Sequence, residues 1–331
     1  MGLKKGFFNN PLKFLLHWRS LPLYEMISYV FMFVSVPMLA FGVRQYSMDI
    51  IRIIFFTVIT LYAGFFAALI WNDITDADID SVSHPDRPIP SGRISKKKFF
   101  AIAFFFTALM LFFAFLISPL CLIVVCIAAL FVTFHDKYLK KSVKIPAYSE
   151  IFTPVQWAVV VVFGFFAVWT AIPHDYSISI NLSFLGILNT NKNAIIEMIV
   201  LVLFTYFADN AHDIAEGIVD SEGDKKHGVR TYATSFGEKN AAKFSFIWFL
   251  ISGILGVVLF FTTILWYIFL VFFVILWLYI MFYSYKLLTA NINNIKKIGA
   301  IVGRKGFDYF LFSYNLIFLD ILIQIIIHNF Y

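Results

Sequence analysis

IRIIFFTVITLYAGFFAALIWNDITDADID, residues 51–80, joins an apolar run about as long as a bilayer is thick to a row of acids. The run 51–71 contains one charge, Arg52, and reads as a spanning helix. The acids follow as Asn72-Asp73-Ile74-Thr75-Asp76-Ala77-Asp78-Ile79-Asp80. Carboxylates beside a bilayer are expensive to keep ionised, so a cluster there points to a use. A second row, Asp209, Asp213, Glu216, Asp220 and Asp224, follows another apolar run at 194–213. Many carboxylates with few cations among them suit a divalent cation such as Mg²⁺. That ion takes a few carboxylates and completes its octahedron with water and phosphate oxygens.

Outward from this stretch, the rest of the chain has the same character. Its 331 residues are 61% hydrophobic, 42 of them Phe, and mean hydropathy is +0.83, which excludes an ordinary soluble domain. Nine segments are apolar over roughly the 17–25 residues a spanning helix needs. They lie near 26–46, 51–71, 98–117, 119–134, 148–172, 194–213, 241–262, 265–287 and 309–328. The third and fourth are separated by a tight turn at Ser118-Pro119. The expected fold is an all-α membrane protein forming one domain over 1–331, with residues 1–25 cytoplasmic and 7–19 lying as an interfacial helix. The 5–6 loop, His174 to Asn193, reads as a connector without chemistry.

Of the 26 basic residues, all but Arg44, Arg52 and Lys192 fall on one side of this arrangement. By the positive-inside rule the N-terminus and both acidic rows face the cytoplasm, and an odd number of helices puts the C-terminus outside. The net charge of +6 reflects that bias and carries no sign of nucleic-acid binding. No small-residue cleavage site marks a signal peptide. Cys121 and Cys126 sit inside the fourth helix without metal-ligand spacing and read as packing residues.

Shifting the first row by 144 residues puts Asp76 on Asp220 and Asp80 on Asp224. The expected architecture is therefore a repeated four-helix unit plus a ninth helix, with the two rows facing each other across a central cavity. At about 100° per residue Asp73, Asp76 and Asp80 share one helix face, bordered by Asn72, while Asp78 points away. The second row also falls in one narrow stripe. Like charges this close repel unless a cation sits among them. Hydrophilic helix ends would also carry acids, but two face-aligned rows on one side of the membrane favour a site. Asp209 lies deepest and reads as an intramembrane hydrogen-bond partner; Asp308 and Asp320 read as packing acids.

The loops supply cations for an anion. After Asp80 the chain reads Ser81-Val-Ser-His84-Pro85-Asp86-Arg87-Pro88-Ile-Pro90-Ser-Gly92-Arg93. Three prolines stiffen it, so Arg87 is held where its planar fork can meet a phosphate. Lys225 and Arg230 are further candidates, as are Lys137, Lys140 and Lys141. Lys96, Lys97 and Lys98 suit anionic headgroups. His84 and His227 read as spectators. Zinc spacing, a Walker loop and a dinucleotide fingerprint are all missing.

The run Asn72-Asp73-x-x-Asp76-x-x-x-Asp80 with Pro85-Asp86-Arg87-Pro88-Ile-Pro-Ser-Gly-Arg93 resembles the first signature of the UbiA superfamily of intramembrane prenyltransferases. Asp220-x-x-x-Asp224 with Gly228-Val-Arg230-Thr231 resembles the second, and Asp213 matches an upstream Asp that some members carry. The resemblance implies that Asn72, Asp73, Asp76, Asp220 and Asp224 hold Mg²⁺ and diphosphate, with Asp80 in support and Arg87 on phosphate. It implies ionisation of an isoprenoid diphosphate (C10–C20 or longer) and attack by a lipid-soluble or aromatic acceptor, with the prenyl tail in an apolar, aromatic tunnel. The chain departs from the family at Ile74, Thr75 and Ala77, at Gly217 where members often carry Asp or Asn, and over Glu150 to Trp157. The Pro-Asp-Arg-Pro run leans toward the branch that includes geranylgeranylglyceryl-phosphate transferases and chlorophyll synthases. A terpene cyclase on the same scaffold is the alternative, needing no acceptor. A cation transporter fits less well, because the acids gather on one side instead of threading the bilayer.

Overall fold

Ser118 shows how closely residue chemistry follows the turns of this chain. Its hydroxyl accepts the Cys121 N–H at 3.1 Å, and Pro119 occupies the first turn, where no N–H is needed. One residue thus ends a helix and starts the next. The computed structural model describes residues 22–75, 77, 81, 85–139, 142–172 and 177–330. The expected interfacial helix at 7–19 lies outside them.

Among the described residues nine helices are long and apolar enough to cross a membrane. Their α-helical parts are α1 Leu23–Phe41, α2 Met48–Thr75, α3 Lys96–Ile117, α4 Pro119–Phe134, α5 Val155–Ala171, α6 Lys192–His227, α7 Glu238–Thr262, α8 Tyr267–Leu288 and α9 Ile292–Phe330, the fourth and fifth spans running over Pro119–Leu139 and Tyr148–Ala171. A π-helical turn, His135–Leu139, extends α4. One-turn helices, Tyr148–Phe152 and Tyr232–Phe236, precede α5 and α7.

The packing repeats as expected. α2 packs most extensively on α3, and α6 on α7, four helices later. α9 closes the arrangement by lying against α6, α8 and α1.

The fold is all-α as expected, and the 5–6 connection adds a short antiparallel hairpin of β1 Ile178–Asn181 and β2 Ile187–Thr190, with Ile178 opposite Thr190. Two expectations need correction. The fifth helix is broken at Thr153-Pro154, where proline has no N–H to give the Glu150 carbonyl. α6 and α9 run far past their apolar cores. At about 1.5 Å per residue the 36 residues of α6 reach about 54 Å, well beyond a hydrocarbon core of about 30 Å. The second acidic row rides on that extension. Likewise Lys296, Lys297, Arg304 and Lys305 belong to α9, not to a loop.

Candidate functional site

Asp73 comes off the last turns of α2 and is buried. Arg87 approaches it, Nη1 to Oδ1, at 3.8 Å. The loop that carries Arg87 is tied to itself. The Arg87 carbonyl accepts from the Ser91 N–H at 3.0 Å and the Ser91 hydroxyl at 2.6 Å, and Ile94 N–H reaches the Pro88 carbonyl at 3.2 Å. Gly92 takes a positive φ of 68°, and Arg93 donates to the Asp86 carbonyl. The prolines and these bonds fix the course of the loop, so Arg87 is aimed by the frame around it. Asp76, Asp80 and Lys140, expected in the site, lie outside the described residues, as do Lys141 and His84.

The second row lies on one unbroken helix, as its spacing requires. Asp209 is buried, Asp213 and Asp224 are half-buried, and Glu216 and Asp220 are exposed. α6 ends in a Schellman turn. Val229 N–H bonds the Asp224 carbonyl at 2.9 Å, and Gly228, at φ 73°, takes the left-handed position that favours glycine. The exposed Lys225 and Arg230 flank this turn.

The one-turn helix Tyr148–Phe152 is fastened to the same region. Ser149 N–H bonds the Arg230 carbonyl at 3.1 Å, and Ala147 N–H bonds the Ser235 hydroxyl at 2.9 Å. The Tyr206 hydroxyl donates to the Ile151 carbonyl at 3.0 Å, and Tyr232 N–H donates to Glu150 Oε2. Ala147 itself has φ 56°, a conformation that costs a non-glycine residue energy and that these tethers hold in place.

Between α2, α3, α4 and α5 lies a cavity of about 610 Å³. Asn72, Thr75, Lys137 and Gln156 give it a polar end; Leu61, Gly64, Met110, Val125, Ala129 and Val160 line its apolar depth. From Thr75 to Thr60 it follows α2 for about 22 Å. Its size falls within the roughly 300–1,000 Å³ of ligand cavities. The expected aromatic tunnel is corrected in one respect. Phe33, Phe65, Trp71 and Trp157 are its aromatic lining, while Phe55, Phe104, Phe105, Phe112, Phe115 and Phe272 lie exposed on outward helix faces. Much of the phenylalanine therefore meets lipid.

Sequence reasoning missed two residues. His212 lies buried on α6, with Nε2 2.9 Å from Asp209 Oδ1 and Nδ1 3.6 Å from Asp213 Oδ1. His212, Asp213 and Glu216 bring one ligand atom each within 4.8 Å of one another. The signal was a histidine inside an acidic stripe. The other is Glu150, noted only as a departure, whose carboxyl reaches the second row. Asp209 bears out its reading as a hydrogen-bond partner, through His212. The role of Asp320 is clear too: its carboxylate accepts Trp266 N–H at 2.9 Å and Phe269 N–H at 3.0 Å, capping α8.

A model of the UbiA prenyltransferase family matches residues 30–297. The chain belongs to the UbiA prenyltransferase family. It is 28% identical over 176 residues to a digeranylgeranylglyceryl phosphate synthase of Methanoregula boonei, covering 53% of this chain and 54% of that one. The chain thus spans about half the length of this curated relative. Its fold resembles the apo structure of a UbiA homologue from Aeropyrum pernix K1, with a TM-score of 0.63 at 14% identity over 92% of this chain and 99% of that one. It also resembles a UbiA homologue from Archaeoglobus fulgidus bound to DMAPP and Mg²⁺, with a TM-score of 0.52 at 17% identity over 87% and 97% of the two chains. These likenesses establish the fold. The UbiA family is one of prenyl-transferring enzymes, and with its apolar helices this member is an integral membrane protein.

Proposed function

We propose that this UbiA protein transfers a prenyl group from an isoprenoid diphosphate to a lipid acceptor. The observation that carries this reading is the cavity, polar at Asn72, Thr75, Lys137 and Gln156 and mainly apolar beyond them, with Thr60, Thr107 and Thr133 among its apolar lining. A ligand with an anionic head and a long hydrocarbon tail matches it end for end. The name of the Methanoregula boonei relative directs the acceptor toward a glycerophosphate carrying a prenyl ether. The whole chain is one membrane domain, with the N-terminus and both acidic rows cytoplasmic and the C-terminus outside.

The donor set fits Mg²⁺. It consists of carboxylate and amide oxygens, with no thiolate, and a hard divalent cation prefers such oxygens. A buried Glu150 oxygen without a hydrogen-bond partner fits as well. Asn72, Asp73, Asp76 and Asp80 from the first row and Asp213, Asp220 and Asp224 from the second would hold it. When bound, the ion neutralises diphosphate charge and stabilises the leaving group.

The protein's own residues do the rest. Arg87, held by its loop, presents a planar fork to the diphosphate, and Lys140, Lys225 and Arg230 add positive charge at the rim. Asn72 stands where the polar end of the cavity meets the first row. Trp157 lines the cavity and stacks on Tyr29 at 5.7 Å between centroids, with its plane within 7°. The ring is therefore fixed in orientation and offers a π-face to positive charge developing on the allylic carbon. The apolar walls keep water from that carbon, so the acceptor hydroxyl is the nucleophile within reach.

The test is mass spectrometry of products from purified protein given Mg²⁺ and prenyl diphosphates of increasing length, with and without geranylgeranylglyceryl phosphate or aromatic acceptors. A prenylated glycerophosphate lipid, abolished by EDTA and restored by Mg²⁺, is expected. A cyclic terpene from donor alone would make the protein a cyclase instead.

A further inference from the structure

Gly217 interrupts the second acidic row at its centre. It stands four residues after Asp213 and three before Asp220, so it faces the same way as both. Space for a side chain there is already taken. A Cβ at 217 would overlap Glu150 Oε1, which reaches in from the one-turn helix Tyr148–Phe152. Glu150 is 5% exposed. Its Oε2 accepts the Tyr232 N–H, while its Oε1 has no hydrogen-bond partner. The charges of Asp213 and Asp224 act on it.

A buried carboxylate oxygen without a partner costs free energy, and placing it among other carboxylates adds repulsion. A structural role explains one oxygen of Glu150, the one that accepts from Tyr232. It leaves the other unexplained, along with the glycine that admits it. A cation shared with the second row accounts for both. We propose that Glu150 is a divalent-cation ligand, supplied from the element before α5 to the position on α6 that Gly217 leaves without a side chain. The tethers to Arg230, Ser235, Tyr206 and Tyr232 hold that element at α6 with the precision a ligand needs. The inference rests on the metal-dependent reading of the site and adds to it a ligand outside both acidic motifs.

Mn²⁺ binding to the purified, donor-free protein, read by electron paramagnetic resonance, tests it. Glu150→Gln keeps the shape and the acceptor for Tyr232 N–H but removes the charge. It is expected to weaken Mn²⁺ binding about tenfold or more, on the scale seen when groups supporting a metal site are lost, and to raise the Mg²⁺ concentration needed for half-maximal activity. Moving the carboxylate, in Glu150→Ala with Gly217→Asp, is expected to recover most of the affinity lost in Glu150→Ala alone. Gly217→Asp by itself, which overlaps Glu150, is expected to bind Mn²⁺ no better than the wild type and to lower the melting temperature. Wild-type Mn²⁺ affinity in Glu150→Gln would overturn the proposal. If that variant does not fold, a folded double variant that binds no better than Glu150→Ala does the same. Asp220→Asn is the control for the underlying reading. If it too binds Mn²⁺ like the wild type, the acidic rows are not the metal site. If it loses binding while Glu150→Gln does not, only the role of Glu150 falls.

Discussion

Arg87 meets Asp73 because proline and serine chemistry leaves its loop few alternatives. Three prolines remove backbone freedom, and Ser91 satisfies the Arg87 carbonyl twice. The guanidinium fork presents two parallel donors, which a lysine in the same place cannot. Arg87→Lys is therefore expected to lower kcat/KM by about 2 kcal/mol, roughly thirtyfold, as for loss of a hydrogen bond to a charged group. Arg87→Ala is expected to cost more, and steady-state kinetics with a prenyl diphosphate would check both. Asp73→Asn and Asp220→Asn remove a charge from each row and should each lower kcat by on the order of a hundredfold or more, the scale of a metal's transition-state contribution. Unchanged melting temperatures would separate that loss from unfolding. The second acidic row was legible in the sequence because its spacing follows one face of one helix. Glu150 was not, because its meaning comes from a glycine 67 positions away. His212 differs, because its signal was in the sequence: it stands three residues after Asp209 and one before Asp213, inside the acidic stripe.

At the scale of elements, the apolar runs marked where helices cross the bilayer but not where they end. α9 begins at Ile292, well before its apolar core. Its polar first turns are stable because neighbouring helices answer them. Lys296 pairs with Glu222 of α6 and lies 3.7 Å from Glu238 of α7. Arg304 pairs with Glu25 of α1, and Asp308 accepts from the Tyr24 hydroxyl at 3.0 Å. Hydropathy does not register such pairings, so the extension read as a loop. The hairpin was equally hard to see, since β1 and β2 have only four residues each. Asp320 is the clearest case of one element capping another. It satisfies two backbone N–H groups at the start of α8 from a fully buried position. Asp320→Ala is expected to destabilise the protein by about 1–3 kcal/mol, the cost of leaving buried donors unpaired. Asp320→Asn should cost less, because its amide oxygen still accepts. Thermal unfolding in detergent measures the difference, and activity at temperatures below the transition should survive in both.

For the whole molecule, the length of α6 decides which functions face which compartment. The hairpin adjoins its N-terminal end, and Asp213 to Asp224 ride on its C-terminal part. At about 1.5 Å per residue Lys192 and Lys226 are about 51 Å apart, more than the hydrocarbon core of about 30 Å. The hairpin and the acidic row must then lie on opposite sides of the membrane. The distribution of Lys and Arg predicts which side is which: by the positive-inside rule the acidic face is expected to be cytoplasmic. This is testable with single cysteines in a background carrying Cys121→Ala and Cys126→Ala. Ser179→Cys is exposed on the hairpin, and Lys226→Cys is exposed beyond the acidic row. In intact cells a membrane-impermeant maleimide is expected to label Ser179→Cys, and to label Lys226→Cys only after permeabilisation. The reverse pattern would invert the protein and open the diphosphate site to the exterior. Soluble prenyl diphosphate would then have to be supplied from outside the cell. Labelling of both positions in intact cells would mean that α6 does not cross the bilayer.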